Sequence, residues 1–294
     1  MLPVNTNVVS LGVANTLATQ RRDLSKSMGH ISSGLRINQA ADDAAGLAVA
    51  ENLDTRERSQ RQAQRNIKDG MSLIQVADDA YSQIGSLFMR MRELAVQSSS
   101  ETYTDKDRAH MQEEYLSLFK DGEKIRDGTQ FAGQDLMSYA GGFDHAPHVF
   151  SVQAGVDNSS HDTIDITVQQ PLNIFTMGWI FPGEVGYTPD LTAHANAGVD
   201  TVDKARGTIG VMDDMILWTN YSRTQIGTAH NRLEHAMNHL SSSNENMASA
   251  QSRIRDADMA YETAQLTKSQ ILTQASTAVL GQANSLPETA LNLL

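Results

Sequence analysis

From Gly46 to Ser98 the apolar positions recur in steps of four and three: Val49, Leu53, Ala63, Ile67, Gly70, Ile74, Ala77, Tyr81, Ile84, Phe88, Met91 and Ala95. Arg56 and Gln60 occupy the two places where the line changes character. This alternation is the seam of a helix that supercoils with a partner. No proline interrupts it, and Gly70 is expected only to weaken it. At 1.5 Å per residue such a helix is roughly 80 Å long, so it needs a partner elsewhere in the chain or in another chain.

The remaining segments supply candidates. Asn5 to Leu35 is helical in period, with Leu17, Leu24, Met28, Ile31 and Leu35 at heptad spacing and Asn7 or Ser10 as its cap. Gly12 and Gly29 make this helix marginal by itself, each costing about 1 kcal/mol against alanine. Ser32-Ser33-Gly34 and Asn38 to Asp43 form a break, and Asp42 and Asp43 precede the long helix where its dipole favours negative charge. Neighbouring helical positions do not face each other, so these two carboxylates are not read as an acid/base pair. A second helix is expected from about Asp105 to Ile125, with Met111, Tyr115, Leu118 and Ile125 on one stripe, and Asp127-Gly128 and Gly133 mark turns.

Period two takes over from Phe150 to Val168. Val152, Ala154 and Val156, then Ile164, Ile166 and Val168, flank Asp157-Asn158-Ser159-Ser160, which predicts a β-hairpin. Pro171 to Asp200 is the least patterned interval, a loop or small β excursion with Pro171, Pro182 and Pro189 and the apolar Ile174, Phe175, Trp179, Ile180 and Phe181. It is read either as a contact surface or as a loop folded back on the long helix. Helical period returns from about Val202, where Ile226, Leu233, Leu240, Met247, Ile254 and Tyr261 fall every seven residues. This is the partner the first long helix requires. Leu272, Val279, Leu286 and Leu293 continue at sevens, interleaved with Ser276, Ala283 and Ala290. The expected fold class is therefore mainly α: a long antiparallel coiled-coil or helical bundle with a small β-hairpin region, and N- and C-termini paired.

Composition narrows the function. Across 294 residues the net charge is -12 and aromatics make up only 5%. The acidic balance argues against nucleic acid, which needs a basic footprint. Cysteine is absent, so there is neither a disulfide framework nor a thiolate metal site. No basic and apolar leader opens the chain and no window is long and apolar enough for a membrane span, which reads as cytosolic or exported without a cleaved signal. His230, Glu234, His235 and His239 do not match either zincin spacing, and the histidines at 235 and 239 lack a third ligand, so a solvated helix face is expected there. No catalytic, cofactor or metal residues are assigned, and the protein is read as a non-enzyme. From Thr263 to Leu294 only Lys268 and Glu288 carry charge. A weakly charged amphipathic end is best explained as material buried by self-assembly.

The two ends also carry a resemblance. Asn5-Thr6-Asn7, Ser32 to Asn38, Ala40 to Ala48 and Gln64-Arg65-Asn66 resemble bacterial flagellin, as do Ser252 to Asp258, Glu262-Thr263-Ala264, Gln270-Ile271-Leu272 and Thr277 to Leu294. The likeness covers roughly residues 4–168 and 202–294. It implies a terminal coiled-coil domain lining an inner tube (1–44 with 255–294), an outer-tube helical domain with the hairpin (45–170 with 201–254) and a short variable surface segment (171–200). It implies a structural subunit that assembles into the filament a motor turns for swimming. The assembly seam would be Leu17, Leu24, Met28, Ile31, Leu35, Leu272, Val279, Leu286 and Leu293. Partners implied are the chain itself, a flagellar export chaperone and the cap and junction proteins. The resemblance further implies type III export, a secreted, extracellular location and recognition by a Toll-like receptor of animals. Arg90, Leu94 and Glu114 fall on the family pattern for that contact, with Arg90 and Leu94 expected to point outward. The alternatives are a junction or minor filament protein, or a flagellin-like surface protein that binds polysaccharide through Trp179 and Phe181. Met28-Gly29-His30 departs from the family pattern, and Trp179 and Trp218 are unexpected in it.

Overall fold

The computed structural model describes residues 7–137, 148–169 and 197–291, with the side chains of 286–291 outside the description. Five helices are described: α1 (Val8–Ser33), α2 (Ala44–Ser98), α3 (Asp105–Gly128), α4 (Val202–Arg255) and α5 (Met259–Leu291). Four short strands form two antiparallel pairs: β1 (Gln130–Phe131) with β2 (Gln134–Asp135), and β3 (His148–Gln153) with β4 (Thr163–Val168). The architecture is mainly α, with helices paired antiparallel and a small β region. Trp179, Phe181 and the rest of the unpatterned interval up to residue 196 lie outside the described residues.

The chain forms two compact units, Met1–Ser59 with Ser242–Leu294, and Gln60–Ser241. In the second unit α2 and α4 run antiparallel: Arg92 pairs with Asp213 at 2.6 Å and, further back along α2, Asp78 pairs with Arg223 at 2.8 Å. The α2 seam read from period is the one used here. Ala63, Ile67, Ile74, Ala77, Tyr81, Ile84, Phe88, Met91 and Ala95 are all buried and meet Val211, Met212, Met215, Ile226 and Leu233 of α4 in one core. α3 adds Met111 and Tyr115, and β4 adds Ile164, Ile166 and Val168. Thr104 caps α3 through a reciprocal box with Asp107, which satisfies two amides at the helix start. The β3–β4 hairpin covers the predicted interval and starts two residues earlier, at His148, in a register pairing Phe150 with Ile166 and Val152 with Ile164. The turn between β1 and β2, Ala132-Gly133, has positive φ at both residues, the form that matches strand twist. Trp218, which the sequence leaves unexplained, sits edge-on to Tyr81 with ring centroids 5.8 Å apart. The Tyr81 hydroxyl donates to the Gln169 carbonyl, and burial pushes that hydroxyl well above its ordinary range.

The first unit is built differently. Among the described residues its buried apolar side chains are few: Leu17, Ile37, Ala50 and Ala283. Ser27, His30, Glu57, Glu262 and Ser269 are buried beside them. The α2 seam slips by one residue here, since Val49 is 49% exposed while Ala50 and Glu57 are buried. The sevens of α4 also stop short of Tyr261, which is 66% exposed. The helix ends at Arg255, and Asp256 to Asp258 turn the chain into α5. That turn is tied to the one after α1: the Arg36 amide donates to the Arg255 carbonyl and the Ala257 amide to the Gly34 carbonyl. Gly34 ends α1 in the left-handed conformation, φ 71°, returning its amide to His30.

Candidate assembly surface

α1 and α5 pack antiparallel, and the hydrogen bonds fix their register. Asn7 Nδ2 donates to the Ala283 carbonyl at 2.7 Å, Ser10 Oγ meets Asn284 at 2.7 Å, and at the other end His30 meets Glu262 at 2.9 Å. On α1 the inward line is Ser10, Val13, Leu17, Gln20, Leu24, Ser27 and Ile31; on α5 it is Glu262, Leu266, Ser269, Thr273, Ser276, Leu280 and Ala283. Both lines alternate by threes and fours, so the pair is a two-stranded coiled coil whose seam is half polar.

The residues expected at the assembly seam divide between two faces of the helix pair. Leu17, Leu24, Ile31 and Leu35 are buried or half-buried, but Met28 is 61% exposed, Leu272 37% and Val279 50%. α5 turns its small and polar line toward α1 and its Leu/Val line away. Small side chains let two helix axes approach, whereas facing rows of Leu and Val hold them apart. Leu293 and the side chain of Leu286 lie outside the described residues. Val8, Val9 and Leu11 of α1 and Ile271 of α5 also point to solvent, each 59 to 64% exposed. The helix pair thus presents apolar side chains outward that no part of the described chain covers.

The other residues singled out lie in the second unit. Arg90 Nε and Nη2 donate to Glu114 Oε1 at 3.1 and 2.8 Å, joining α2 to α3, and Nη1 donates to Glu93 at 3.0 Å. The Glu114 hydrogen bond, then that of Glu93, holds the guanidinium further above its ordinary value. Leu94 is not beside them on the surface. It is 1% exposed and part of the core, so the expected outward apolar knob is absent. A helix packed between two others buries a wider stripe than a two-helix seam, and position 94 falls in the added width. Met89 and Val96, 54% and 47% exposed, are the apolar side chains α2 does present nearby. Spacing alone does not separate them, because Leu87 and Leu94 are also seven apart and off the seam, yet half-buried and buried.

Among the described residues no group of three or more His, Cys, Asp or Glu is placed to hold a metal ion, and His235 and His239 are exposed on α4. No described helix is long and apolar enough to cross a membrane.

Residues 4–141 match the family described as the bacterial flagellin N-terminal helical region, and residues 209–294 match the bacterial flagellin C-terminal helical region. The chain is 36% identical over 291 residues to a flagellin of Halalkalibacterium halodurans, with 99% of each chain covered. It is also 36% identical over 301 residues to a flagellin of Bacillus subtilis, with the same coverage, and 34% identical over 291 residues to the flagellar filament 33 kDa core protein of Treponema phagedenis, again covering 99% of both. A putative flagellar hook-associated protein from Vibrio parahaemolyticus shares the fold at a TM-score of 0.57 and 16% identity, covering 73% of this chain and all of that one. With both terminal helical regions matched and relatives aligned almost end to end, the chain belongs to the bacterial flagellin family.

Proposed function

We propose that this chain is the structural subunit of a bacterial flagellar filament, joined to copies of itself through the apolar residues that α1 and α5 turn outward. The observation that carries this is the division of α5 into two faces. A helix pair that has already satisfied its own seam still exposes Ile271, Leu272 and Val279, together with Val8, Val9, Leu11 and Met28 on α1. Apolar area left in water on a helix pair is favourable to bury, at about 25 cal/mol per Å², and a repeating neighbour is the partner that family membership supplies.

On this reading residues 1–44 with 255–294 line the inner tube, 45–170 with 201–254 form the outer tube, and 171–200 is a short surface segment. The chain acts mechanically and not as an enzyme. It works outside the cell, reaching the filament tip through the flagellar type III apparatus with an export chaperone, and meets cap and junction proteins at the filament ends. The Arg90–Glu114 pair, with Met89 nearby, serves as an inter-subunit contact that an animal Toll-like receptor reads on the free subunit, with Leu94 holding that surface from beneath.

Electron microscopy of the purified chain after seeding tests the central claim. Filaments are expected from the intact chain and none after removal of residues 1–36 or 263–294. A full-length chain that stays monomeric at high concentration with seeds present would overturn it.

A further inference from the structure

His30 is the one side chain of the departing Met28-Gly29-His30 stretch that the structure buries, at 7% exposure. Its ring lies between two carboxylates. Nδ1 is 2.9 Å from Glu262 Oε1 on α5, and Nε2 is 3.9 Å from Asp42 Oδ2 in the connector between α1 and α2. Nε2 is buried and has no hydrogen-bond partner. A carboxylate only accepts, so a neutral imidazole can satisfy one side alone. With its single proton on Nδ1, toward Glu262, it aims a buried lone pair at the anionic Asp42. With a proton on each nitrogen it has a donor for both.

We propose that His30 is a proton-operated clamp: doubly protonated, it ties the last turns of α1, the connector and the first turn of α5 together, and loss of one proton loosens that joint.

The charges around the ring support this. From α1, Lys26 reaches Asp42 Oδ1 at 3.0 Å. From the connector, Asp42 also accepts the amides of Asn38 and Gln39, both at 3.2 Å. From α5, Glu262 is itself buried. The neighbouring acids are turned elsewhere: Asp43 accepts the Gly46 amide and Asp258 the amides of Ala260 and Tyr261. Arg255 is engaged by Glu51 at 3.3 Å. With the ring charged, two cations (Lys26 and His30) face two anions (Asp42 and Glu262). With the ring neutral, one negative charge of this half-dry cluster is left over, which is unfavourable where water cannot screen it. Imidazole is the side chain that changes charge between about pH 5 and 8. The Asp42 carboxylate, bonded by Lys26, stays ionised far below that interval. The joint is therefore tight on the acidic side of the interval and loosens as pH rises.

Hydrogen–deuterium exchange on the full chain, corrected for the intrinsic pH dependence, tests the clamp without requiring assembly, so its outcome is separate from that of the filament reading. Protection of peptides spanning 24–36 and 258–266 is expected to fall severalfold between about pH 6 and 8, as the ring charge that balances Asp42 and Glu262 is lost. Peptides of α3 should not change. His30→Gln should flatten the dependence, and Glu262→Gln, which keeps an acceptor without the charge, should reduce it even if the first variant opens the joint at every pH. Equal pH profiles in the wild type and Glu262→Gln would overturn the proposal, as would protection that rises with pH or is absent throughout.

Discussion

Gly70 of α2 and Val152 of β3 approach so closely that a Cβ on the glycine would stand 2.9 Å from the valine Cγ2. The same methyl would meet Ile166 Cδ1 and Leu233 Cδ1, each at 3.4 Å, so it is closed in by the hairpin and by α4. The glycine that period alone marks as a weak point is where hairpin and helices converge. Gly70→Ala would gain about 1 kcal/mol of helix propensity but must displace stiff, β-branched neighbours, an overpacking that costs about 1 to 3 kcal/mol. A net loss of stability in urea denaturation is the expected result, and a stabilised variant would show that the hairpin yields.

Arg90 and Leu94 should separate cleanly. Arg90→Ala removes an exposed ion pair and should leave the urea midpoint nearly unchanged, as such pairs contribute little. Leu94→Ala opens a cavity in the core and should cost about 2 to 5 kcal/mol. If both variants were equally stable, the placement of Leu94 in the core would be wrong. Binding assays on Leu94 variants should therefore be read alongside their stability.

Acid should act on the first unit through Asp42. The hydrogen bond from Lys26 and those from the Asn38 and Gln39 amides lower its pKa from 3.8 to about 2, against a smaller opposing effect of burial. A carboxylate depressed on folding stabilises fully above its ordinary value, and that stability is lost as pH falls toward the folded value. Exchange protection of the peptide spanning 34–46 should therefore decline between about pH 4 and 2 in the wild type. Asp42→Asn should start lower at neutral pH and lack that decline.

The outward face of α5 gives a sharper test of assembly than truncation does. Leu272→Ser and Val279→Ser change side chains 37% and 50% exposed, so each should shift free-chain stability by no more than about 0.5 kcal/mol. Both should suppress sedimentable filament. Ser269, buried in the seam, offers the contrast: Ser269→Leu should weaken the α1–α5 pairing itself, seen as faster exchange in both helices. Normal filaments from the double Leu272→Ser, Val279→Ser variant would mean that α5 meets its neighbours through other residues.

What the sequence determined by itself is the set of elements and much of their pairing. The four-three alternation from Ala63 to Ala95 is the buried seam of α2, because a stripe of that width has one way to leave water on a long helix. The period-two run placed the β3–β4 hairpin, and the weakly charged ends marked α1 and α5 as a surface in need of partners. The tertiary structure alone decided between lines of equal period. On α5 both Leu272–Val279 and Ser269–Ser276–Ala283 repeat every seven residues, and hydrophobicity favours the first. Close approach of α1 selects the second, because small residues at the seam let the helices meet and allow Asn7, Ser10 and His30 to bond across it. Leu94 follows the same logic, since period cannot say whether a helix has one neighbour or two. The His30 cluster was beyond reach for a related reason: Lys26, His30, Asp42 and Glu262 come from three segments, and only folding brings their charges together.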